Sequence, residues 1–290
     1  MTAPSAADRP AVAVGDILRL SRRDEQRFRA TVFQRNHSQA VFGGCFLGQA
    51  MVAAQETAPG RPPSAMFARF LVGGDPDRPI DYLVETLRDG RSFSERRVTA
   101  RQGDGPLAFE AMISFHAPED GVAHQRPRST AIDAPQSLPR LADLGHVYPN
   151  DIASAEAEGV GGLRAIDARL MRPLDYFTHP AEPRGRFWVR GVDADPDTSG
   201  YAALAFLSDF MMPTAAMMPH TRSAFDGGFT TLSLNHAIWF HSPVQADDWF
   251  LHETESPWAG QARGLSFGRL YASSGALAAS TSQELLIRRR

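Results

Sequence analysis

The sequence predicts an α+β fold of two tandem units, each an antiparallel sheet wrapped around one long helix. Three observations carry that expectation. A helical pattern is followed by four strand candidates with hairpin turns, and a second helix-then-strands run begins after residue 171. Short identities also recur between the two runs: R-F-L at Arg69 faces W-F-H at Trp239, E-T at Glu85 faces E-T at Glu253, and Gly105 faces Gly275. The offsets are 170 (239 − 69), 168 (253 − 85) and 170 (275 − 105), the mark of a duplicated module. A length of 290 residues with 43% hydrophobic content agrees with about two domains, at roughly 100 to 200 residues each.

Residues 1–14 are rich in Ala, Pro and Ser without periodicity and read as a loose arm, with structure starting near Asp16. Gln26–Phe33 reads as a first strand. A glycine-ended loop then leads into a helix over Gly44–Ala58, where Leu47, Ala50, Met51, Ala54 and Ala58 recur at spacings of three and four and Pro59-Gly60 ends it. Asp89-Gly90 and Gly103-Asp104-Gly105 have hairpin chemistry. Leu107, Phe109, Ala111, Ile113 and Phe115 alternate with more polar neighbours, so the sheet has one apolar face.

The first unit closes near Pro118, which makes residues 1–118 the N-terminal unit. Residues 119–170, rich in Pro, Ala, Asp and Gly, read as a linker draped over the surface with some helix around Ala153 to Glu158. Residues 171–290 form the second unit. Gly185–Arg190 is its entry strand and Ser199–Met212 its central helix, with Ser199 as N-cap and Pro213 as stop.

Composition excludes several classes. Net charge is −3 and the pI about 6.3, far from the basic footprint of a nucleic-acid binder. All 30 basic residues are Arg, which reflects genome composition more than chemistry. The single Cys45 excludes an intrachain disulfide, and no apolar run approaches the roughly 20 residues of a membrane-spanning helix. Without a secretory pattern after Met1, a cytoplasmic protein free of the membrane is expected.

The chemistry centres on Leu232–His241, L-S-L-N-H-A-I-W-F-H. Upstream, Asp209 falls in the last turn of the second helix among Phe206, Leu207, Phe210 and Met211. The negative end of the helix dipole and an apolar setting both oppose a carboxylate there, and an acid placed against both is a functional candidate. On the residues alone, a polar helix end remains the commoner role.

V-F-G-G-C-F-L-G-Q-A from Val41, L-V-E-T-L-R-D-G-R-S-F from Leu83, N-H-A-I-W-F-H from Asn235 and S-T-S-Q-E from Ser280 resemble the acyl-CoA thioesterase II family. The resemblance implies a double hotdog that hydrolyses acyl thioesters without metal or redox cofactor. It places Asp209, Ser233 and Gln283 on the family's catalytic Asp, Thr and Gln, with both intervals preserved (233 − 209 = 24; 283 − 233 = 50). Ser233 departs from Thr: it keeps the hydroxyl and loses the methyl that fixes its rotamer.

Gly43 and Gly44 are expected to bind substrate through bare amides at the helix start, or else to form a tight turn with positive φ. Cys45 replaces the Gln of the family's G-G-Q and Phe67 stands where a His is common, so both are expected to shape the acyl site. The implied partner is an acyl-CoA or acyl-carrier thioester. The alternatives are a thioester-binding protein with little turnover and a thioesterase for a carrier-bound intermediate. A dehydratase would call for an Asp–His pair on the central helices, and neither helix has one. Edge strands and exposed apolar surface lead to the expectation of a homodimer or larger homo-oligomer.

Other patterns carry less. G-L-S-F-G at Gly264 spells a serine-hydrolase elbow but reads as strand, with the last His, His252, upstream of it. His236 and His241 fall on opposite faces of one strand, so no metal is expected. Met211-Met212 and Met217-Met218 suit an adaptable acyl channel or, more commonly, core filling. Arg288–Arg290 reads as a solvated tail.

Overall fold

Strand alternation and two short apolar helices produce a single sheet, all of whose pairings are antiparallel, with the helices on one face. The computed structural model describes residues 12–153, 164–225 and 228–290. The first run comprises α1 (Val14–Leu18), β1 (Ser21–Arg22), β2 (Arg27–Ala30), α2 (Gly43–Gln55), β3 (Pro63–Phe70), β4 (Ile80–Asp89), β5 (Phe93–Arg101) and β6 (Leu107–His116). The second comprises β7 (Ile166–Leu170), β8 (Arg184–Gly191), α3 (Gly200–Ser208), α4 (Met212–Met217), β9 (Phe229–Ser233), β10 (Asn235–Phe240), β11 (Phe250–Gly260), β12 (Arg263–Ala272) and β13 (Leu277–Arg289).

The strand order β1-β2-β4-β5-β6-β3-β10-β13-β12-β11-β8-β7 has the same sequence of roles from either end, with β9 added beside β13. The two halves meet where β3 pairs with β10. Phe67 is there the cross-strand partner of Ala237, and 237 − 67 is again 170, so a local dyad passes between them. The register repeats as well: Val84 with Val98 becomes Thr254 with Gly268, and Val98 with Ala111 becomes Gly268 with Thr281, each residue 170 later. The E-T identity at Glu253 is therefore out of register by two, since Glu85 corresponds to Glu255 (85 + 170).

The core lies between the sheet and the crossed helices. α2 and α3 run in opposite directions where they touch, Gly44 against Phe206 and Gly48 against Ala202. A Cβ on Gly44 would collide with the Phe206 carbonyl oxygen, and one on Gly48 would lie 3.0 Å from that of Ala202, so the backbones approach as only glycine permits. Around the crossing Phe42, Phe46, Phe109 and Phe206 are buried, each stabilising by about 1.5–3 kcal/mol through area removed from water.

The structure moves several expected boundaries. Val14 is fully buried and opens α1, so the expected arm does not extend that far, and residues 1–11 lie outside the described ones. The expected linker over 119–170 includes β7, which pairs with β8. Upstream of it the chain does lie over the second half: Trp188 Nε1 donates to the Asp133 carbonyl at 2.8 Å, and Gln125 bonds both Gly275 and Leu277 at 3.0 Å. The helix expected around Ala153 to Glu158 lies outside the described residues beyond Ala153, which is not helical.

Ser199 does cap α3, accepting from the Ala202 amide. Pro213 does not stop that helix. α3 ends at Ser208, Met211 takes a left-handed conformation (φ 58°), and Pro213 sits in the first turn of α4, where its missing N–H costs nothing. All four methionines of this stretch are buried, the core-filling role.

Candidate active site

Asp209 is the residue that closes α3, and its carboxylate faces the start of α2 rather than solvent. The Gly44 amide favours its charged form, and the Gly43 Cα lies so near that a Cβ would be 2.6 Å from Oδ2. The electropositive first turn of α2 thus offsets the unfavourable end of α3, a compensation made between the two halves. Gly43 and Gly44 belong to the helix and neither has positive φ, so the turn alternative does not hold.

Ser233 ends β9 and Gln283 lies on the inner face of β13, beside it in the sheet. Ser233 Oγ donates to Asp209 Oδ1 at 3.3 Å and accepts from Gln283 Nε2 at 2.8 Å. The three residues singled out in the sequence therefore form one connected group. Asp209 is 5% exposed and Gln283 fully buried. Burial raises the Asp209 pKa above the usual carboxylate range, opposed by His236 and by hydrogen bonds from Gln283, Ser233 and Gly44.

His236 belongs to this network, although the sequence reading weighed it only as a metal ligand and set that aside. Its Nδ1 lies 2.6 Å from Gln283 Oε1 and its Nε2 2.9 Å from Ser208 Oγ. An amide oxygen only accepts, so Nδ1 carries the hydrogen, and Nε2 shares the Ser208 hydroxyl hydrogen with the Ala205 carbonyl at 2.8 Å. This fixes the Gln283 amide with its NH₂ toward Ser233. Burial lowers the His236 pKa, and the Asp209 charge opposes that shift. Alternation did separate His236 from His241, which is exposed on the opposite face, but it carries no signal of what the buried ring bonds.

Beyond it His252 is fully buried with both ring nitrogens lacking a partner, and burial pushes its pKa down to about 3. Among the described residues no group of three His, Cys, Asp or Glu side chains is arranged to hold a metal.

Two expected substrate residues lie elsewhere. Cys45 is buried beneath the site: the Gln34 amide donates to Sγ at 3.3 Å, and burial pushes the thiol up to about 12. It shapes packing under α2 and presents no surface to a ligand. Phe67 is 48% exposed on the opposite face of the sheet, edge-on to Trp239 at 5.5 Å. The period-2 pleat puts β3's odd member at the dyad outward, away from Asp209.

A dyad-symmetric sheet around two crossed helices, with an acid, a hydroxyl and an amide at their crossing, defines a double-hotdog protein. The sequence model of the acyl-CoA thioesterase N-terminal domain matches residues 33–116 and that of the C-terminal domain residues 135–287. The chain is 34% identical to acyl-coenzyme A thioesterase 8 of Rattus norvegicus over 97% of this chain and 90% of that protein. Among solved structures it is similar to acyl-CoA thioesterase II TesB2 from Mycobacterium marinum, with TM-score 0.75, 30% identity and coverage of 96% of this chain and 99% of that one. A hot dog fold protein of Alicyclobacillus acidocaldarius gives a TM-score of 0.76 at 19% identity over 95% and 97% of the two chains, a likeness of fold alone. This chain belongs to the acyl-CoA thioesterase family.

Proposed function

We propose that the protein hydrolyses acyl-CoA thioesters with water activated by Asp209. The observation that supports this most directly is the Asp209–Ser233–Gln283 chain of hydrogen bonds at the start of α2. Ser233 and Gln283 orient the water, and the carboxylate takes its proton as the oxygen attacks the thioester carbonyl. The tetrahedral intermediate then collapses, the C–S bond breaks, and the departing thiolate receives the proton, leaving a free acid and CoA. Gly43, having no Cβ, lets the start of α2 approach Asp209 Oδ2 without displacing the carboxylate. A buried carboxylate of raised pKa is a stronger base than an ordinary one, which suits it to this step.

Thiol release over a series of acyl-CoAs, with wild type and Asp209→Asn side by side, tests the reading. Turnover by the wild type that the variant lacks is expected. Equal rates would remove Asp209 from the chemistry.

The homo-oligomer is a further part of this reading. Met112, Phe67, Trp239 and Phe267 lie exposed on the outer face of neighbouring strands around the dyad, the kind of apolar surface that association covers. Light scattering decides it, and a fully active monomer of 31.7 kDa would contradict it. No helix among the described residues is long and apolar enough to cross a membrane, and the one free thiol, Cys45, suits a cytoplasmic setting.

A further inference from the structure

Ser233 and His236 both turn inward to the Asp209 network, yet they lie three residues apart (236 − 233). A pleated strand alternates its faces, so an odd separation places two residues on opposite sides of the sheet. The register shows how the chain escapes that rule. Against β13, Ser233 on β9 pairs with Leu285, while Ala237 on β10 pairs with Ser282. Leu234, Asn235 and His236 thus face only Gln283 and Glu284, one residue more on the first side than on the second. This is a β-bulge, and it puts Ser233 and His236 on one face with the Gln283 amide joining them.

The backbone of the bulge is short of an acceptor. The Leu234 amide donates to the Glu284 carbonyl at 2.9 Å, but the Leu234 carbonyl is turned to the other neighbour, where it accepts from the Phe70 amide of β3 at 3.1 Å. In a regular antiparallel pair that carbonyl would accept from the Glu284 amide. Here the Asn235 side chain supplies the missing oxygen: Oδ1 accepts from the Glu284 amide at 3.1 Å. The same side chain is held at its other end, since Nδ2 donates to Glu284 Oε2 at 3.3 Å and Arg263 Nη1 holds Glu284 Oε1 at 2.6 Å. An asparagine suits this place because one short amide both accepts and donates.

The first half supplies a comparison. Its β3–β6 register also shifts, between Pro63 and Ala65, the positions 170 before Ser233 and Asn235. A bulge at this place is common to both halves, but Ala65 stands where Asn235 does and Ser114 where Glu284 does (235 − 170; 284 − 170). There the residues matching Ser233, His236 and Gln283 are Pro63, Met66 and Ile113, which have no proton chemistry. The asparagine is found where the bulge has reactive side chains to aim.

We propose that Asn235 is a positioning residue for the reaction: its clamp to Glu284 holds the bulge that turns Ser233 and His236 together toward Asp209. The proposal rests on the thioesterase reading of that site and adds to it a residue on the opposite face of the sheet. Without the Asn235 amide, the Glu284 N–H regains an acceptor only if the Leu234 carbonyl swings back from Phe70, and that rotation shifts Ser233 away from the Asp209 carboxylate.

Three variants separate positioning from stability. Asn235→Ala is expected to fold, as the first half does with Ala65, and to lower kcat about tenfold or more with KM unchanged. The acid limb of its pH–rate profile moves to higher pH, because the hydrogen bonds from Ser233 and Gln283 that favour the Asp209 carboxylate are loosened. Asn235→Asp keeps the acceptor but sets a carboxylate against Glu284 Oε2, and a similar loss is expected. Asn235→Asp combined with Glu284→Gln reverses donor and acceptor in that contact and is expected to return kcat to within about threefold of the wild type.

A readout without turnover is the proton on His236 Nδ1, whose 2.6 Å contact with Gln283 Oε1 gives a downfield resonance in protein with isotopically labelled histidine, assigned by its loss in His236→Leu. It is expected to shift in Asn235→Ala and to return in the double variant. Wild-type kcat with an unmoved resonance in Asn235→Ala overturns the proposal. So does a kcat that follows melting temperature through all three variants with the acid limb in place, which would confine Asn235 to holding the sheet. If the resonance responds as expected while the wild type hydrolyses no thioester, the thioesterase reading falls and the positioning stands.

Discussion

The Cα of Gly43 faces Asp209 so closely that a single added carbon would lie 2.6 Å from Oδ2 and 3.2 Å from the Phe70 ring. Gly43→Ala is therefore expected to displace the carboxylate from the Ser233 hydroxyl and lower kcat at least tenfold, while α2, whose other contacts are unchanged, keeps its fold. Circular dichroism with steady-state rates checks this, and an unchanged kcat would show that the carboxylate has room to move.

Asp209→Asn is expected to lower turnover by about 10² to 10⁴, the usual worth of a general base. It is also expected to raise the melting temperature at pH 7. Because burial raises the folded-state pKa of Asp209, ionisation above that pKa costs stability, and the cost vanishes below the unfolded value of about 3.9. The variant's advantage should then grow as pH rises from about 4 toward the raised pKa and level off above it. A melting difference independent of pH would mean that the carboxylate is not destabilised in the fold.

The two interactions of Ser233 Oγ predict the order of substitutions there. Ser233→Ala leaves Gln283 Nε2 without its acceptor and costs on the order of 1 to 3 kcal/mol, or roughly ten- to hundredfold in rate if felt fully in the transition state. Ser233→Thr keeps the oxygen, adds χ1 stiffness and preserves or raises activity. Should the added methyl crowd the acyl chain instead, KM would rise for bulky acyl groups alone. Equal kinetics for Ala and Ser on every substrate would remove the hydroxyl from the site.

His236→Leu removes the donor that holds the Gln283 amide, and with it the positioning of the Gln283 hydrogen bond that lowers the Asp209 pKa. A lower kcat is expected, with the acid limb of the pH–rate profile moved to higher pH, because Asp209 must lose its proton to act. A fall in kcat with that limb in place would confine His236 to packing.

Much of this was legible in the residues. The helical spacing of Leu47, Ala50, Met51 and Ala54 marked α2, and the misfit of Asp209 in an apolar helix end marked the acid. Its remedy was not legible, because the amide that meets it belongs to Gly44, 165 positions away (209 − 44), and no local pattern reports such a contact. Phe67 was expected in the acyl site because it stands where the family commonly has a His, and a match of position does not tell which face of β3 turns inward. β7 was hidden in a Pro- and Gly-rich stretch because a five-residue edge strand needs little pattern of its own. The early end of α3 turns on Met211 in a left-handed conformation, which its sequence, lacking Gly or Asn there, does not announce.

The dyad between Phe67 and Ala237 implies a second place on the chain equivalent to the one around Asp209. Counting back 170 positions takes Ser233 to Pro63 (233 − 170) and Gln283 to Ile113 (283 − 170), neither of which can hold or move a proton. At the matching end of α2, Gln55 Oε1 accepts from Ser199, the residue that caps α3, at 2.7 Å. The helix crossing, Gly44 on Phe206 and Gly48 on Ala202, sets an offset of 158 (202 − 44) that carries Asp209 to Met51 (209 − 158), an apolar residue. With proton-handling groups at one of the two places, a non-hydrolysable thioester analogue is expected to bind at one site per polypeptide, and substitutions at Pro63 and Ile113 should cost less activity than those at Ser233 and Gln283.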